Sequence, residues 1–366
     1  MLSVNKIGSF EAFCLMSFLL GTKIFFTNVK VIIDRTGTAG WYTTIISFII
    51  TMFFFSLLCI LINKFEGLNI IDIFNKTFGW FLGSIFSILF SGYALFYSSS
   101  VLREFFEMLK AYNLPYTPPS IIVGLFLIVT CIYLYVGLDG ISKICVLAFF
   151  VVLAGTITIY LLGIPNYNPS LLTPLGGYGL RESVLAGILR SSAYSEVFFL
   201  AVIVTSLKDT RTFKKVGFYS LSFIAFIFCI SILFSLMTFG YTSGSELLSG
   251  IFQLSRLIYY NRFIQRLESL FLFIWVIAAF FNVTISAYFS LNIYCQVFKI
   301  KNHRPLIPSF IFLIFYLTFL PESLISVKEM NLTFIYQYSL FFIYTIPILA
   351  LILSSVSQNK SKLKAR

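Results

Sequence analysis

The chain returns again and again to apolar stretches of about twenty residues, and this recurrence limits its folding more than any other feature. The stretch "WYTTIISFIITMFFFSLLCILI" (41–62) contains no charged residue and is long enough to cross a bilayer as a helix. The same ruler gives ten spans: 10–33, 41–62, 78–101, 120–137, 144–163, 183–206, 217–239, 267–297, 307–321 and 333–356. Continuous apolar runs, rather than period-two alternation, predict helices and not a barrel.

Composition agrees. Of 366 residues, 59% are hydrophobic and 11% charged, where a soluble domain carries about 25% charged. The expected fold class is therefore all-α and integral to the membrane. It forms a single polytopic domain over 1–366, divided into 1–163, an external loop at 164–182, 183–356 and a basic tail at 357–366. The formal charge of +12 does not indicate nucleic acid, because the Lys and Arg residues cluster between apolar runs. Lys6, Lys64, Lys76, Lys143, the "KDTRTFKK" loop, the "KIKNHR" loop and the tail fall on one side, which predicts that both termini are cytoplasmic.

The six cysteines stand singly in apolar surroundings, without metal spacing. His303 reads as a solvated loop residue. No Walker loop, nucleophile elbow, HExxH or GxGxxG context is present, so neither an enzyme nor a cofactor is expected. The segment 163–183 reads as a turn-rich external loop, and 245–269 as an amphipathic helix on the outer face.

Two spans carry polar interruptions. In "FLLGTKIFFTN" (18–28), Gly21 and Thr22 precede Lys23 midway along span one. In "ILRSSAYSEVFF" (188–199), Arg190, Ser191, Ser192, Ser195 and Glu196 interrupt span six. An ionisable residue at such depth costs about 2.5–3.5 kcal/mol on insertion scales and normally faces protein or water. The two breaks are five spans apart, the spacing at which inverted-repeat transporters place discontinuous helices around a midplane site. A half-helix amino terminus there would favour a carboxylate, and Lys23 adds a full positive charge. Glu196 would neutralise Lys23 or meet a ligand's ammonium. The candidate ligand-binding set is Gly21, Thr22, Lys23, Ser192, Ser195 and Glu196. Against it stand blander readings: Lys23 snorkels to an interface, and Arg190 pairs with Glu196 within span six. Thr284, Ser286 and Ser290 line a cavity or serve a sodium ion or, more simply, bond their own backbone. Glu268 forms a local ion network with Arg266 and Arg262.

The segment "NRFIQRLESLFLFIWVIAAFFNVTISAYFS" (261–290) resembles the signature stretch of the B subunits of spore germinant receptors, carried here by Arg266, Leu267, Glu268, Phe271, Phe273, Ile274, Trp275 and Val276. "AYSEVFFLAVIVTSLKDTRTFKK" (193–215) is similar to that family's sixth helix, and "NYNPSLLTPLGGYG" (166–179) to its external segment. The resemblance implies a five-plus-five inverted repeat like that of amino acid–polyamine–organocation permeases, with helices one and six unwound. It also implies a small nutrient ligand such as an amino acid, a receptor A subunit and a lipoprotein C subunit as partners, and residence in the spore inner membrane. Many relatives carry a proline after the glycine of helix one, and "GTKIFFTN" has none. An active secondary amino-acid transporter, coupled to ions or protons, is the alternative on the same residues.

Overall fold

A computed structural model of the chain describes residues 6–262 and 264–364, and its regular structure is helical. In order the helices are α1 (Ser9–Gly21), α2 (Asn28–Thr36), α3 (Gly40–Lys64), α4 (Ile70–Phe78), α5 (Trp80–Tyr112), α6 (Pro119–Leu162), α7 (Leu180–Arg190), α8 (Thr210–Gly244), α9 (Gly250–Leu257), α10 (Glu268–Val297), α11 (Ile307–Thr318), α12 (Leu324–Met330) and α13 (Ser339–Lys364). Side chains of the basic tail, Lys360, Lys362, Lys364 and Arg366, lie outside the described residues.

Seven helical runs among the described residues are long and apolar enough to cross a membrane, against ten expected spans. The difference is one of division. Helix α6 has 44 residues, about 66 Å if straight, twice the roughly 30 Å hydrocarbon core. Its backbone turns at Gly137, where φ is 81°, so spans four and five are two arms of one helix. Only glycine adopts that conformation without cost. Span one is split into α1 and α2, and α11 is too short to count on length alone.

The packing inverts that of a soluble protein. Ile49, Phe53, Leu125, Leu147 and Phe312 point outward, with Leu147 71% exposed, while serines and threonines lie inside. Without a hydrophobic force between helices in lipid, small residues and interhelical hydrogen bonds bring backbones together. Between α3 and α7, the Ser47 hydroxyl donates to the Gly187 carbonyl at 2.8 Å. A Cβ on Gly187 would fall 2.7 Å from Ile46 Cγ2, so the approach requires glycine. Between α5 and α10, Ser91 Oγ donates to Ser290 O at 2.8 Å and Ser290 Oγ to Ser91 O at 2.9 Å. Of the other span-eight hydroxyls, Ser286 bonds its own helix and Thr284 meets Thr130, so all three are structural.

Two connections differ from expectation. Among the described residues, the segment 245–269 holds the eight-residue α9 before α10 opens at Glu268; α9 stops at Leu257, Ile258 is extended, and beyond it Asn261 Oδ1 accepts from Ile264 N and a bridge pairs Tyr259 with Gln265. Glu268 pairs with Arg266 at 2.9 Å and Arg256 at 3.3 Å. His303 is half-buried rather than solvated, and burial and the adjacent Arg304 hold its imidazole below the ordinary value. On the face bearing the amino terminus, Ile7 N donates to Ser206 O at 2.9 Å in a parallel bridge with Leu207. An open cavity of about 710 Å³ lies beside it, lined by Lys6, Glu66, Lys208, Asp209, Arg211 and Lys214.

Substituting Gly187→Val should separate α7 from α3 and destabilise by about 1–3 kcal/mol through overpacking, with Gly187→Ala milder; thermal unfolding in detergent checks both. Asp209 caps α8 by accepting from Thr212 N at 2.6 Å, and the Thr212 hydrogen bonds hold its carboxyl below the ordinary range. Its stabilisation is thus present above the ordinary carboxylate pKa and lost as pH falls through the depressed folded value. In Asp209→Asn that loss, below about pH 4, should disappear.

Candidate functional site

The first break follows from Gly21. A Cβ there would lie 2.7 Å from Ile224 Cδ1, so glycine admits α8 at the point where α1 stops. A single 3-10 turn, Thr22–Phe25, follows, and Phe26 is extended (φ −101°, ψ −167°) before α2 begins. No proline is needed. The second break follows from serines: Ser191 and Ser192 donate to the carbonyls of Ile188 and Leu189 at 2.8 and 2.9 Å, competing with the helical ladder. Beyond them Ser191–Val202 runs as a 12-residue 3-10 helix. Such runs rarely exceed three or four residues, and within a span they mark a hinge.

The breaks face each other. Lys23 Nζ lies 2.6 Å from Glu196 Oε2 and donates to the Ala193 carbonyl at 2.6 Å. Tyr93 OH, from α5, donates to Glu196 Oε1 at 3.2 Å, and the Lys23 ammonium sits 5.3 Å from the Tyr97 ring centroid. Lys23 is 3% exposed and Glu196 fully buried, so water does not share the solvation. Partners therefore have to: a carbonyl, a phenol and an aromatic face supplement the opposite charge, which is the condition for a buried pair to persist. Lys23 does not snorkel, and Arg190 does not pair with Glu196 along one helix. Instead the Arg190 guanidinium donates through Nη2 to Asn28 Oδ1 at 2.5 Å, joining the end of α7 to the start of α2.

Carbonyls at the breaks are also taken. Phe18 O, which accepts from Thr22 N, lies 2.6 Å from Thr22 Oγ1, and Asn282 Nδ2 donates to Phe18 O and Leu19 O at 3.2 and 3.0 Å. Ser191 O accepts from Thr51 Oγ1 and Tyr344 OH at 2.9 and 2.8 Å. The amino end of α2, expected to stand open to a carboxylate, already holds one. Buried Glu104 accepts from Thr27 N at 2.9 Å and from the Thr27 hydroxyl.

Of the six sequence-predicted residues, Lys23 and Glu196 form the centre. Gly21 and Thr22 shape the first break, Ser192 bonds its own helix, and Ser195 Oγ is buried without a hydrogen-bond partner among the described residues. A cavity of about 50 Å³ lies beside Gly21 and Thr22, lined by Phe18, Phe25, Phe223 and Ile224. Small-molecule pockets run to about 300–1,000 Å³, so the site is closed in this form. Sequence reading missed Tyr93, Tyr97, Glu104 and Asn282. An amide in the middle of span eight was a signal for the last. The helical pattern running past Val101 to Tyr112 was one for Glu104, which otherwise passes for a loop residue.

Over residues 6–327 the chain matches the family described as spore germination protein. It is similar to two proteins of Bacillus subtilis (strain 168). Spore germination protein A2 is 26% identical over 264 residues, 69% of this chain and 70% of that protein. Spore germination protein KB is 24% identical over 278 residues, 74% and 73% of the two. Among solved structures it resembles a Na⁺-coupled sialic acid symporter in a substrate-bound outward-open state, with a TM-score of 0.65, covering 94% of this chain and 79% of that one. At 11% sequence identity the likeness is one of fold, the LeuT-like arrangement with discontinuous helices one and six.

Removing one partner of the buried pair should cost about 3–5 kcal/mol, because the other charge is stranded. Lys23→Met and Glu196→Gln are each expected to lower the melting temperature sharply, and the double variant to recover much of the loss. A double-mutant cycle on the purified protein measures this coupling.

Proposed function

The chain belongs to the spore germination protein family, and we propose that it is the membrane subunit of a spore germinant receptor that binds a small nutrient between its broken helices. The observation that carries this reading is the buried Lys23–Glu196 pair, with its ions facing across two matched helix breaks. A zwitterionic amino acid can enter such a pair without changing its net charge: the carboxylate meets Lys23 and the ammonium meets Glu196. Ser195 Oγ, buried without a partner among the described residues, offers a further polar contact. Gly21 and Thr22 flank the small apolar cavity beside the pair, and Ser192 is the neighbouring hydroxyl on the second break.

Because the site is closed, a ligand favours whichever conformation admits it, and binding shifts the population toward that form. In this reading the change passes to a receptor A subunit and a lipoprotein C subunit in the spore inner membrane. Both termini are cytoplasmic, as the distribution of Lys and Arg implies. The likeness of fold to a symporter favours a second reading, an active secondary transporter of amino acids.

Spores lacking this gene, tested across a panel of amino acids, sugars and nucleosides, should lose the response to one compound or one chemical class. An unchanged response to every compound sinks the receptor reading. Gradient-driven accumulation of that compound in proteoliposomes containing this chain alone would favour the transporter instead.

A further inference from the structure

A helix break exposes carbonyl oxygens, and hard cations are bound by oxygen donors. The symporter that shares this fold is Na⁺-coupled, so the freed carbonyls here can be tested for their fitness to hold an alkali ion. They do not fit one. Phe18 O and Leu19 O, at the end of α1, lie against the Thr22 hydroxyl and the Asn282 amide nitrogen, both donors. Ala193 O and Glu196 Oε2, a carbonyl and a carboxylate at the second break, are the strongest oxygen pair for a cation. Each lies 2.6 Å from Lys23 Nζ, on a side chain buried from water.

We propose that Lys23 is a tethered cation: its ammonium does between the two breaks what a bound alkali ion would do, so this chain binds its ligand and responds to it without sodium. The inference deepens the receptor reading, since a ligand carboxylate would be met by this fixed charge. Its geometric part stands apart from that reading. An ammonium can replace a metal ion here because it offers one positive charge and three donors, and the site supplies a carboxylate, a carbonyl and an aromatic face. Covalent attachment removes the entropy of capturing a free ion and makes occupancy independent of ionic composition.

Thermal unfolding of the purified chain in lipid nanodiscs, in about 150 mM sodium chloride or the same concentration of choline chloride, tests the proposal. Wild type should melt at the same temperature in both. In Lys23→Met, Glu196 and the Ala193 carbonyl would be left to a free cation, and sodium should raise the melting temperature by about 2–4 °C. Lys23→Gln, which keeps donors but no charge, should gain a sodium response too. The Lys23→Met, Glu196→Gln double variant should gain none. A wild type stabilised by sodium, or folded Lys23 variants indifferent to it, overturns the idea.

A second measurement does not depend on the variants folding. Spores that use this receptor should show the same half-maximal nutrient concentration in sodium and in sodium-free buffer, and a sodium requirement also overturns the proposal. Spores that respond to no nutrient in either buffer count against the receptor reading, while the unfolding experiment still decides the fate of the tethered cation.

Discussion

Everything at the centre of this molecule is arranged around the cost of holding charge in lipid. An ammonium and a carboxylate at mid-depth persist only if each finds the other and the rest of their hydrogen-bonding capacity is met. Lys23 and Glu196 meet at 2.6 Å, with Ala193 O, Tyr93 OH and the Tyr97 ring filling in around them. That arrangement fixes much else. The chain must stop being α-helical at Gly21 and again at Ser191, because an unbroken helix would spend the carbonyls and bury the side chains elsewhere. Helix α5 packs beside the breaks and delivers Tyr93 and Tyr97.

The same economy governs the surrounding backbone. Breaking two helices in an apolar medium releases groups that water cannot satisfy. Thr51, Asn282, Tyr344 and Glu104 each meet some of them from a neighbouring element. Span eight is polar at Asn282, Ser286 and Ser290, and each of these side chains donates to a backbone carbonyl. Glu104 is the more instructive case. A carboxylate from α5 at the amino end of α2 occupies ground on which sequence reasoning expected a ligand.

Much of this was legible in the chain itself. Apolar runs revealed a helical membrane protein, and the local oddities "GTK" and "RSSAYSE" revealed where it breaks, because a glycine, clustered serines or a charge within a span has a local physical meaning. The partners of those breaks were not legible. Tyr93 stands 103 residues from Glu196, and Asn282 more than 260 from Phe18, so no local pattern connects them. Spans four and five, expected as separate crossings, are the two helical arms on either side of Gly137, and only the absence of a loop between them was not foreseen. The amphipathic pattern at 245–269 is met only over Gly250–Leu257, since its apolar spacing runs on past Ile258, where the backbone becomes extended.

The short parallel bridge between Ile7 and Leu207 acquires a mechanical meaning from this architecture. It ties the chain entering the first broken helix to the chain leaving the second, through a backbone hydrogen bond from Ile7 N to Ser206 O. The two broken helices are therefore joined by backbone at this end as well as by the ion pair at their centre, and the join lies beside the open cavity lined by Lys6, Lys208 and Asp209.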